Sequence, residues 1–297
     1  MLYGALEAGG TKMVCAVGDE NGTIRESFYV PTTTPEETMP AILDFFKDRE
    51  IAALGIACFG PIDVDKASPT FGRILRTPKL PWVDYDMVGT MRRALGVPVG
   101  FDTDVNGSLL GEVTWGAAKG VSDVIYITIG TGIGGGILAN GEIVHGMLHP
   151  ELGHMILPYA PGDPYKGRCP FHGHCLEGLA SGPAIEERWG AKGSELADRE
   201  EVWELESFYI AKAISNLICI LSPKMIILGG GVMHQQQLFP LIRRKVLENL
   251  NGYLTTGELE NIDHYIIPAG LQDNQGIMGA VRLAMDAEAE DRNKRGI

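Results

Sequence analysis

One pattern occurs twice in this chain and limits the folds that the sequence can adopt. An apolar strand, a glycine-containing turn, a second apolar strand and an Asn-Gly turn follow one another over residues 6–22 and again over residues 127–141. Such short apolar runs, bounded by glycine and Asn-Gly pairs, are typical of strands joined by tight turns. The two stretches are alike in pattern and not in identity. They predict two similar α/β halves, the first of which begins with antiparallel strands.

Longer segments with apolar residues at helical spacing alternate with short buried strands. In residues 34–48, for example, Met39, Ile42 and Phe46 fall on one face, and Pro35 suits the first turn. Alternation of strands and helices is typical of α/β proteins. The charged end, residues 288–295, is expected to be frayed. The predicted helices are 34–48, 84–95, 105–114, 176–189, 200–221, 234–249 and 276–289, with strands at 52–58, 97–102, 124–129, 225–228 and 265–268.

The charge of the chain argues against two classes of partner. The 297 residues contain 38 Asp and Glu against 25 Lys and Arg, which gives a formal net charge of −13. Such a surface as a whole does not attract a phosphate backbone or an anionic membrane. The longest uncharged stretches, 124–141 and 225–242, are broken by glycines and do not predict a membrane helix. We therefore expect no nucleic-acid partner and no membrane partner, and the N-terminus lacks the basic start of a signal peptide.

Cysteine usage indicates the compartment. Of the five cysteines, Cys15, Cys58 and Cys219 lie inside apolar runs, which predicts that their thiols are in the core. An odd number of cysteines, three of them in predicted strands or helices, favours a reducing environment. We expect the protein to be cytoplasmic.

Three glycine-rich loops each follow a predicted strand: Gly9-Gly10-Thr11-Lys12, residues 130–136 with five glycines, and Gly229-Gly230-Gly231. The first lacks the spacing of a Walker A loop, and no helix follows it as in a Rossmann fingerprint. Glycines let backbone N–H groups approach an anion closely, and the third loop stands between a strand and a helix, where nucleotides usually bind. One such loop alone is better explained as a hairpin turn, whereas three together favour nucleotide binding.

A cluster of potential metal ligands lies in the glycine- and proline-rich segment after Pro150. His154 is followed by Cys169, His172 and Cys175, and the last three lie within seven residues. Two thiolates and two imidazoles can complete a tetrahedral Zn²⁺ site, and a loop with so little apolar content is poorly able to order itself without a metal. His174 is a fifth candidate that competes with His172. Four protein ligands leave no open position, so the predicted zinc is structural.

Two carboxylates stand where a predicted strand ends and a helix begins, in the run Asp102-Thr103-Asp104-Val105-Asn106. Asp and Asn are common helix caps, which is the simpler interpretation. A carboxylate at a strand end can also accept a proton from a substrate hydroxyl as a general base. Spacing alone leaves the choice between Asp102 and Asp104 open.

Taken together, these motifs resemble the ROK family of sugar kinases and related repressors. The resemblance spans nearly the whole chain, from the loop of residues 7–12 to Gly229-Gly230-Gly231, and includes Glu151-x-Gly153-His154. The run from Cys169 through Cys175 to Ser181-Gly182-Pro183 is most similar to the zinc-containing bacterial fructokinases of that family. The resemblance to the family implies an α/β, two-domain actin-like (ribonuclease-H-like) sugar kinase fold with an interdomain cleft. The implied domains are a smaller one, 1–118 plus 277–297, and a larger one, 119–276.

The resemblance also implies roles for individual residues. Asp104 is the implied catalytic base, with Mg²⁺-ATP as the phosphoryl donor. His154 is either a sugar contact or a zinc ligand, and the Thr77-Pro78-Lys79 segment belongs to the sugar side. The implied nucleotide contacts are Gly9, Gly10, Thr11, Lys12, Thr131, Gly132, Gly182, Pro183, Gly229, Gly230 and Gly231. The implied substrate contacts are Gly60, Pro61, Thr103, Asp104, Glu151 and Glu177, and the implied metal ligands are His154, Cys169, His172 and Cys175.

Three positions depart from the family pattern. Glu7 replaces the usual Asp of the first loop, which leaves the Mg²⁺ ligand open, and His172 replaces a common Cys ligand. On the sugar side, Thr103 and Lys79 stand where Asn is common. The expected reaction is phosphorylation of fructose to fructose 6-phosphate, and the alternative is a glucokinase or an N-acetylhexosamine kinase. The family suggests a homodimer.

Two non-enzymatic interpretations are less favoured. A repressor of the family carries a helix-turn-helix module ahead of the kinase-like body, and the first loop here begins at Gly9. A sugar sensor without catalysis would be favoured by the absence of the carboxylate at position 104, which is present. We therefore expect an enzyme.

Overall fold

The alternation of strands and helices produces two five-stranded sheets in the computed structural model, which describes residues 1–296. The chain divides into two compact units. Within the described residues, unit 1 comprises 1–120, 143–150 and 270–296, and unit 2 comprises 121–142 and 151–269. The predicted domain limits place 119–120, 143–150 and 270–276 with the second group instead. Within residues 1–296, no helix has both the length and the apolar content that a bilayer crossing needs.

Both sheets are mixed and have the same strand order. The strands are β1 (Leu2–Ala8), β2 (Lys12–Asp19), β3 (Ile24–Pro31), β4 (Leu54–Cys58), β5 (Val99–Thr103), β6 (Val124–Ile129), β7 (Ile133–Ala139), β8 (Glu142–Ile143), β9 (Met225–Gly229) and β10 (Ile266–Pro268). Unit 1 has the order β3-β2-β1-β4-β5, and unit 2 has the corresponding order β8-β7-β6-β9-β10. In each sheet an antiparallel hairpin precedes parallel strands. The internal repeat predicted from the sequence is therefore confirmed in the topology.

Helices cover both faces of the unit 1 sheet. They are α1 (Pro35–Phe46), α2 (Met87–Leu95), α3 (Asp104–Thr114) and, from the end of the chain, α10 (Gln275–Arg295). On one face Leu6 and Met13 pack with Ile42 of α1 and Met91 of α2. On the other face small residues let helices approach the sheet, since a Cβ at Gly55 would lie 1.8 Å from the Ala280 carbonyl oxygen of α10. This close packing fixes α3 and α10 against the strands.

Unit 2 is completed by helices between and after its strands. They are α4 (Leu176–Ala180), α5 (Gly182–Trp189), α6 (Glu200–Leu221), α7 (Leu238–Leu250), α8 (Gly257–Glu260) and α9 (Ile262–Tyr265). Helix α6 packs against α7 and α4. Its buried face includes Trp203, Tyr209 and Ile214.

The helix predicted over 176–189 is wrong as a single element, because it is interrupted at Ser181. The backbone of Ser181 is extended, and α5 starts at Gly182 with Pro183 in its first turn. Proline has no N–H to donate to the preceding turn. In a continuous helix the Leu179 carbonyl would accept the N–H of residue 183, which proline lacks. It accepts a hydrogen bond from the Arg188 guanidinium at 3.0 Å instead.

Two further expectations are corrected by packing. Residues 288–295 are not frayed but continue α10, where ion pairs of Arg292 with Glu288 and of Arg295 with Asp291 have the favourable i, i+4 spacing. Cys219 is exposed, in contrast to buried Cys15 and Cys58. It lies in the last turn of α6, where only the opposite side of the helix faces the core. An apolar run does not indicate which side that is.

Candidate active site and metal centre

Three functional loops leave the unit 1 sheet at one edge. Strands β1, β4 and β5 are parallel neighbours, and their last residues are in register, with Ala8 opposite Cys58 and Cys58 opposite Thr103. The glycine loop after β1, the loop 59–61 after β4 and Asp104 after β5 therefore start side by side. The carboxyl ends of parallel strands are where α/β sheets place their binding sites.

The structure distinguishes the two carboxylates that spacing could not separate. Neither is the cap of α3, because the Thr103 hydroxyl accepts the Asn106 N–H at 3.1 Å. Asp102 is buried on β5, and its Oδ1 accepts from Asn106 Nδ2 at 2.7 Å and from the Thr103 amide at 2.8 Å. Its Oδ2 lies 3.0 Å from His145 Nε2. Asp102 is therefore occupied by internal partners.

Asp104 is half-buried, whereas Asp102 is buried. It occupies the first position of α3, and its Oδ1 accepts the Val105 amide at 2.9 Å. Burial raises the pKa of Asp104 to about 6, although this amide hydrogen bond acts in the opposite direction. A carboxylate with a pKa near the working pH is well matched to general base catalysis.

A second acidic group lies near Asp104. Burial, and next the charge of Asp104, raise the pKa of Glu7 to about 7, while Lys12 opposes this shift and Asp273 adds to it. Glu7 also lies against Gly276 of α10, where a Cβ would be 2.4 Å from its Oε1. Mg²⁺ prefers oxygen ligands such as carboxylates, so the carboxylate of Glu7 fits that ion.

The predicted sugar-side segment 77–79 reaches the first glycine loop. A Cβ on Gly10 would lie 3.6 Å from Cε of Lys79, so the lysine stem runs beside this loop. Thr77 is buried, and its hydroxyl accepts the Lys79 amide at 3.4 Å. The segment predicted for sugar and the loop predicted for phosphate are therefore brought together within unit 1.

The loop after β4 is held from two directions. The Gly60–Pro61 peptide is cis, and the Pro61 carbonyl accepts the Leu75 amide at 2.8 Å. On the other side, the Ile62 amide donates to Nε2 of His149 at 3.2 Å. Sequence reasoning did not select His149 or His145, because a lone histidine outside a ligand-spaced motif carries no specific signal.

The unit 2 edge is formed mainly by glycine backbone. Strands β6 and β9 are parallel, with Thr128 opposite Gly229, so the loop at Gly130 and the loop at Gly229-Gly230-Gly231 start side by side. A Cβ on Gly130 would lie 3.8 Å from the Gly231 nitrogen, and the Gly182 amide donates to the Gly130 carbonyl at 2.8 Å. The predicted nucleotide contacts of this unit are therefore brought together. They are Thr131, Gly132, Gly182, Pro183, Gly229, Gly230 and Gly231.

Two predicted sugar contacts also belong to unit 2. Oε2 of Glu177 accepts the Ile133 amide at 2.9 Å, and a Cβ on Gly132 would lie 2.8 Å from the same oxygen. Glu177 therefore supports the second glycine loop directly. Glu151 is exposed, and its carbonyl accepts the His154 amide at 3.0 Å. A sugar role for these two residues stays a prediction.

The four predicted metal ligands converge. One ligand atom from each of His154, Cys169, His172 and Cys175 lies within 4.8 Å of the others. Nδ1 of His154 is 3.8 Å from Sγ of Cys169 and 3.6 Å from Sγ of Cys175, and Nδ1 of His172 is 3.6 Å from Sγ of Cys169. Ordinary Zn–S and Zn–N bond lengths give an N···S edge of about 3.6 Å in a tetrahedron. The donor set and its spacing fit Zn²⁺.

The competing histidine does not join this cluster. The ring of His174 is stacked on Tyr159, with ring centroids 4.9 Å apart.

Burial raises the pKa of the Cys175 thiol to about 11, so a bound cation is what would keep this thiol ionised.

Comparison with known proteins shows similarity over nearly the full chain. A family model described as the ROK family matches residues 3–287. A fructokinase from Pediococcus pentosaceus is 48% identical over 287 residues, which cover 97% of this chain and 99% of that protein. A fructokinase from Zymomonas mobilis is 44% identical over 296 residues, covering 97% of each chain.

The fold is similar to that of solved sugar kinases. A ROK hexokinase from Thermus thermophilus has a TM-score of 0.80 and 26% sequence identity, and the match covers 98% of this chain and all of that chain. The predicted α/β, two-domain actin-like fold is confirmed.

Proposed function

This chain belongs to the ROK family, and on that premise we propose that it transfers the γ-phosphoryl group of ATP to the 6-hydroxyl of fructose. The products are fructose 6-phosphate and ADP. Support comes from two fructokinases with 48% and 44% identity over 97% of the chain. The hexokinase with a similar fold is only 26% identical, so fructose is favoured over another hexose.

The observation that carries the proposal is the edge of the unit 1 sheet. The registers of β1, β4 and β5 align the starts of a glycine loop, the loop at Gly60 and a half-buried Asp104. A phosphate loop, a sugar loop and a base are the parts that phosphoryl transfer to a hydroxyl requires.

In the proposed reaction, Asp104 accepts the proton of the fructose 6-hydroxyl as its oxygen attacks the γ-phosphorus. The bond from that phosphorus to the β–γ bridging oxygen breaks, and ADP leaves with the electron pair. Because burial raises the pKa of Asp104 to about 6, its carboxylate is ionised at neutral pH yet basic enough to take the proton. Asp102 is a poorer candidate, since its oxygens already accept three hydrogen bonds.

Sugar recognition is proposed for Gly60, Pro61 and Thr103 in unit 1 and for Glu151 and Glu177 in unit 2. Thr103 uses its oxygen to cap α3, but its O–H proton can still be donated to a sugar oxygen. Lys79 can only donate, whereas an Asn can also accept. This difference makes a changed sugar preference physically reasonable, although it does not set the direction of the preference.

Backbone amides bind the nucleotide in this proposal. Gly10, Thr11 and Lys12 provide N–H groups and a cation in unit 1, and Gly9 shapes this loop, since its own amide donates to the Lys12 carbonyl at 3.1 Å. The grouped glycine loops provide amides in unit 2. Mg²⁺, when bound, would neutralise charge on the β- and γ-phosphates, and Glu7 is the carboxylate suited to hold it, which leaves Asp104 free to act as the base. The close contact of Glu7 with Gly276 limits where its carboxylate can move.

We also propose one structural Zn²⁺ on His154, Cys169, His172 and Cys175, a cytoplasmic location and a homodimer. The zinc proposal is supported by the N···S distances of 3.6–3.8 Å. The location is supported by the five cysteines, none of which forms a disulfide within residues 1–296. The homodimer rests on the family resemblance alone and is tested by light scattering.

The deciding experiment measures ADP release against fructose, glucose, mannose, N-acetylglucosamine and N-acetylmannosamine at equal low concentrations. We expect kcat/KM for fructose to exceed that for glucose by at least about tenfold, which corresponds to about 1.4 kcal/mol of differential transition-state binding. Phosphorus NMR of the product identifies the hydroxyl that is phosphorylated. Equal turnover of glucose would contradict the fructose assignment while leaving a hexose kinase.

A further inference from the structure

The segment 143–150 is unusual because it lies in the sequence between two stretches of unit 2 but packs within unit 1. Its buried residue His149 contacts the loop after β4. We propose that His149 is a positioning residue that holds the Gly60–Ile62 loop in its sugar-binding conformation. This inference rests on the proposed function of that loop.

The ring makes two specific contacts with the loop. Nε2 accepts the Ile62 amide at 3.2 Å. A Cβ at Gly60 would lie 3.2 Å from Cε1 and 3.3 Å from Nε2 of His149, so the imidazole lies directly against this glycine. One ring thus touches the residues on both sides of Pro61.

The hydrogen bonds define the state of the ring. His149 also bonds to the backbone of Pro150, whose polar group is a carbonyl, so the imidazole must donate there. With Nε2 accepting from Ile62, the donor is Nδ1, which requires the neutral tautomer. Burial lowers the pKa of His149 and keeps this neutral form at neutral pH. A protonated ring would point an N–H at the Ile62 N–H.

The other contacts of the Gly60–Ile62 loop explain why we expect its conformation to depend on this one histidine. On the opposite side the loop is tied to a neighbouring segment through the Leu75 amide and Pro61 carbonyl, and Ile62 forms a bridge with Ile74. On the side of His149, the hydrogen bond from the Ile62 amide to Nε2 holds the loop. Without it the Ile62 amide becomes a buried donor without this acceptor, which favours movement of the loop.

The test compares His149→Asn with His149→Gln. Both carry the same amide, but the Gln oxygen reaches about as far from the backbone as Nε2, whereas the Asn oxygen is one methylene short. We expect His149→Asn to raise the KM for fructose at least about tenfold and to change the KM for ATP less than about twofold. His149→Gln should stay within about threefold of the wild type for both. Met147→Ala, at a fully exposed side chain of the same segment, is the matched control and should equal the wild type.

Hydrogen exchange of the Ile62 amide in the free enzyme gives a second readout that needs no turnover. Protection should be lost in His149→Asn and kept in His149→Gln. The inference would be overturned if His149→Asn and His149→Gln had the same KM for fructose. It would also be overturned if His149→Asn raised the KM for ATP as much as the KM for fructose. If His149→Asn does not fold, His149→Gln decides: a retained KM supports it and a tenfold rise overturns it.

The proposed function fails separately, when the wild type does not phosphorylate fructose. The same variants are then measured with the hexose that the wild type does phosphorylate. If the wild type phosphorylates none of these hexoses, hydrogen exchange decides. Loss of protection at the Ile62 amide in His149→Asn but not in His149→Gln supports the positioning contact, and equal protection in the two variants overturns it.

Discussion

The carboxyl edges of the two sheets are built alike and carry different chemistry. In unit 1, the edge presents Asp104 and Glu7, both with a raised pKa, and Lys79 beside the glycine loop. In unit 2, the corresponding edge presents glycine backbone around Gly130, Gly182 and Gly231. The strand order is the same in both, so the residues that follow each strand, and not the topology, determine the chemistry.

The two edges are also ordered by different means. Asp102 links Asn106 and His145 beneath the first edge, and His149 fastens the neighbouring loop. The loop after Pro150 in unit 2 has a Cys/His cluster instead. A change of charge should therefore damage the first edge most, while a change of backbone shape or metal should damage the second. The following predictions test that contrast.

The largest effect is expected from Asp104→Asn, which removes the proposed base. Turnover should fall by about 10²–10⁴-fold, because the amide cannot accept the hydroxyl proton, while ATP binding measured by calorimetry should remain. Asp102→Asn is the matched comparison at a carboxylate with internal partners. It should lower the melting temperature and lose much less turnover, and the reverse ranking would assign the base to Asp102.

Removal of a metal ligand should act through stability. We expect one zinc per chain in the wild type, less than about half in Cys169→Ser, and a melting temperature lower by about 5–10 °C, because metal binding and local folding are coupled. Cys219→Ser changes an exposed thiol outside the cluster and is the control. Elemental analysis and thermal unfolding measure both. A zinc-free wild type with no other transition metal would rule out the closed site.

A methyl group on Gly230 should disturb the unit 2 edge. This residue has a φ of 87°, and a Cβ would lie 2.5 Å from the Ile129 carbonyl oxygen, so Gly230→Ala must distort the loop. The strain, about 1–3 kcal/mol, should raise the KM for ATP by about 5–150-fold and leave the KM for fructose nearly unchanged. Gly252→Ala has the same sign of φ, at 72°, with open space around the new Cβ. Similar ATP kinetics in both variants would count against a nucleotide role.

The smallest effect is a dependence on pH. Since the raised pKa of Asp104 is about 6 and that of Glu7 is about 7, kcat/KM should fall at least about tenfold per pH unit below pH 6, keep a weaker dependence between pH 6 and 7, and be flat above about pH 7. ATP affinity should not follow the same curve. A rate profile without this inflection would contradict the assigned base.

The same pKa fixes the sign of a stability effect. The folded protein holds the Asp104 proton more tightly than the unfolded chain, whose carboxyl titrates near 3.8. The stabilisation is present below that pH and is lost as the pH rises through about 6. Asp104→Asn should therefore melt at the same or a higher temperature than the wild type at pH 7.

Local patterns predicted much of the architecture. Strand and helix periods, the repeat of two hairpins and the helix over 200–221 depend on neighbouring residues, and the structure has them. The metal ligands were also predictable, because Cys169, His172 and Cys175 lie within seven residues and only His154 comes from farther away. Interactions of short range leave their signature in spacing.

Some errors arose where one local rule overrode another. The apolar pattern over 176–189 suggested a continuous helix, but Pro183 removed a backbone donor and Ser181 became extended. The charged run at 288–295 suggested fraying, but its charges pair along α10. Both signals are present in the sequence, because a proline interrupts a helix and opposite charges at i, i+4 spacing extend one.

By itself, the sequence determined the kinds of elements, the loops that can bind anions and the set of soft metal ligands, because each follows from residues close together in the chain. Only the tertiary structure decided that Asp102 is occupied and Asp104 accessible, that Cys219 faces solvent, and that His149 meets Ile62 from 87 residues away. Burial and hydrogen-bond partners depend on which segments pack together, and that choice is made by the whole fold.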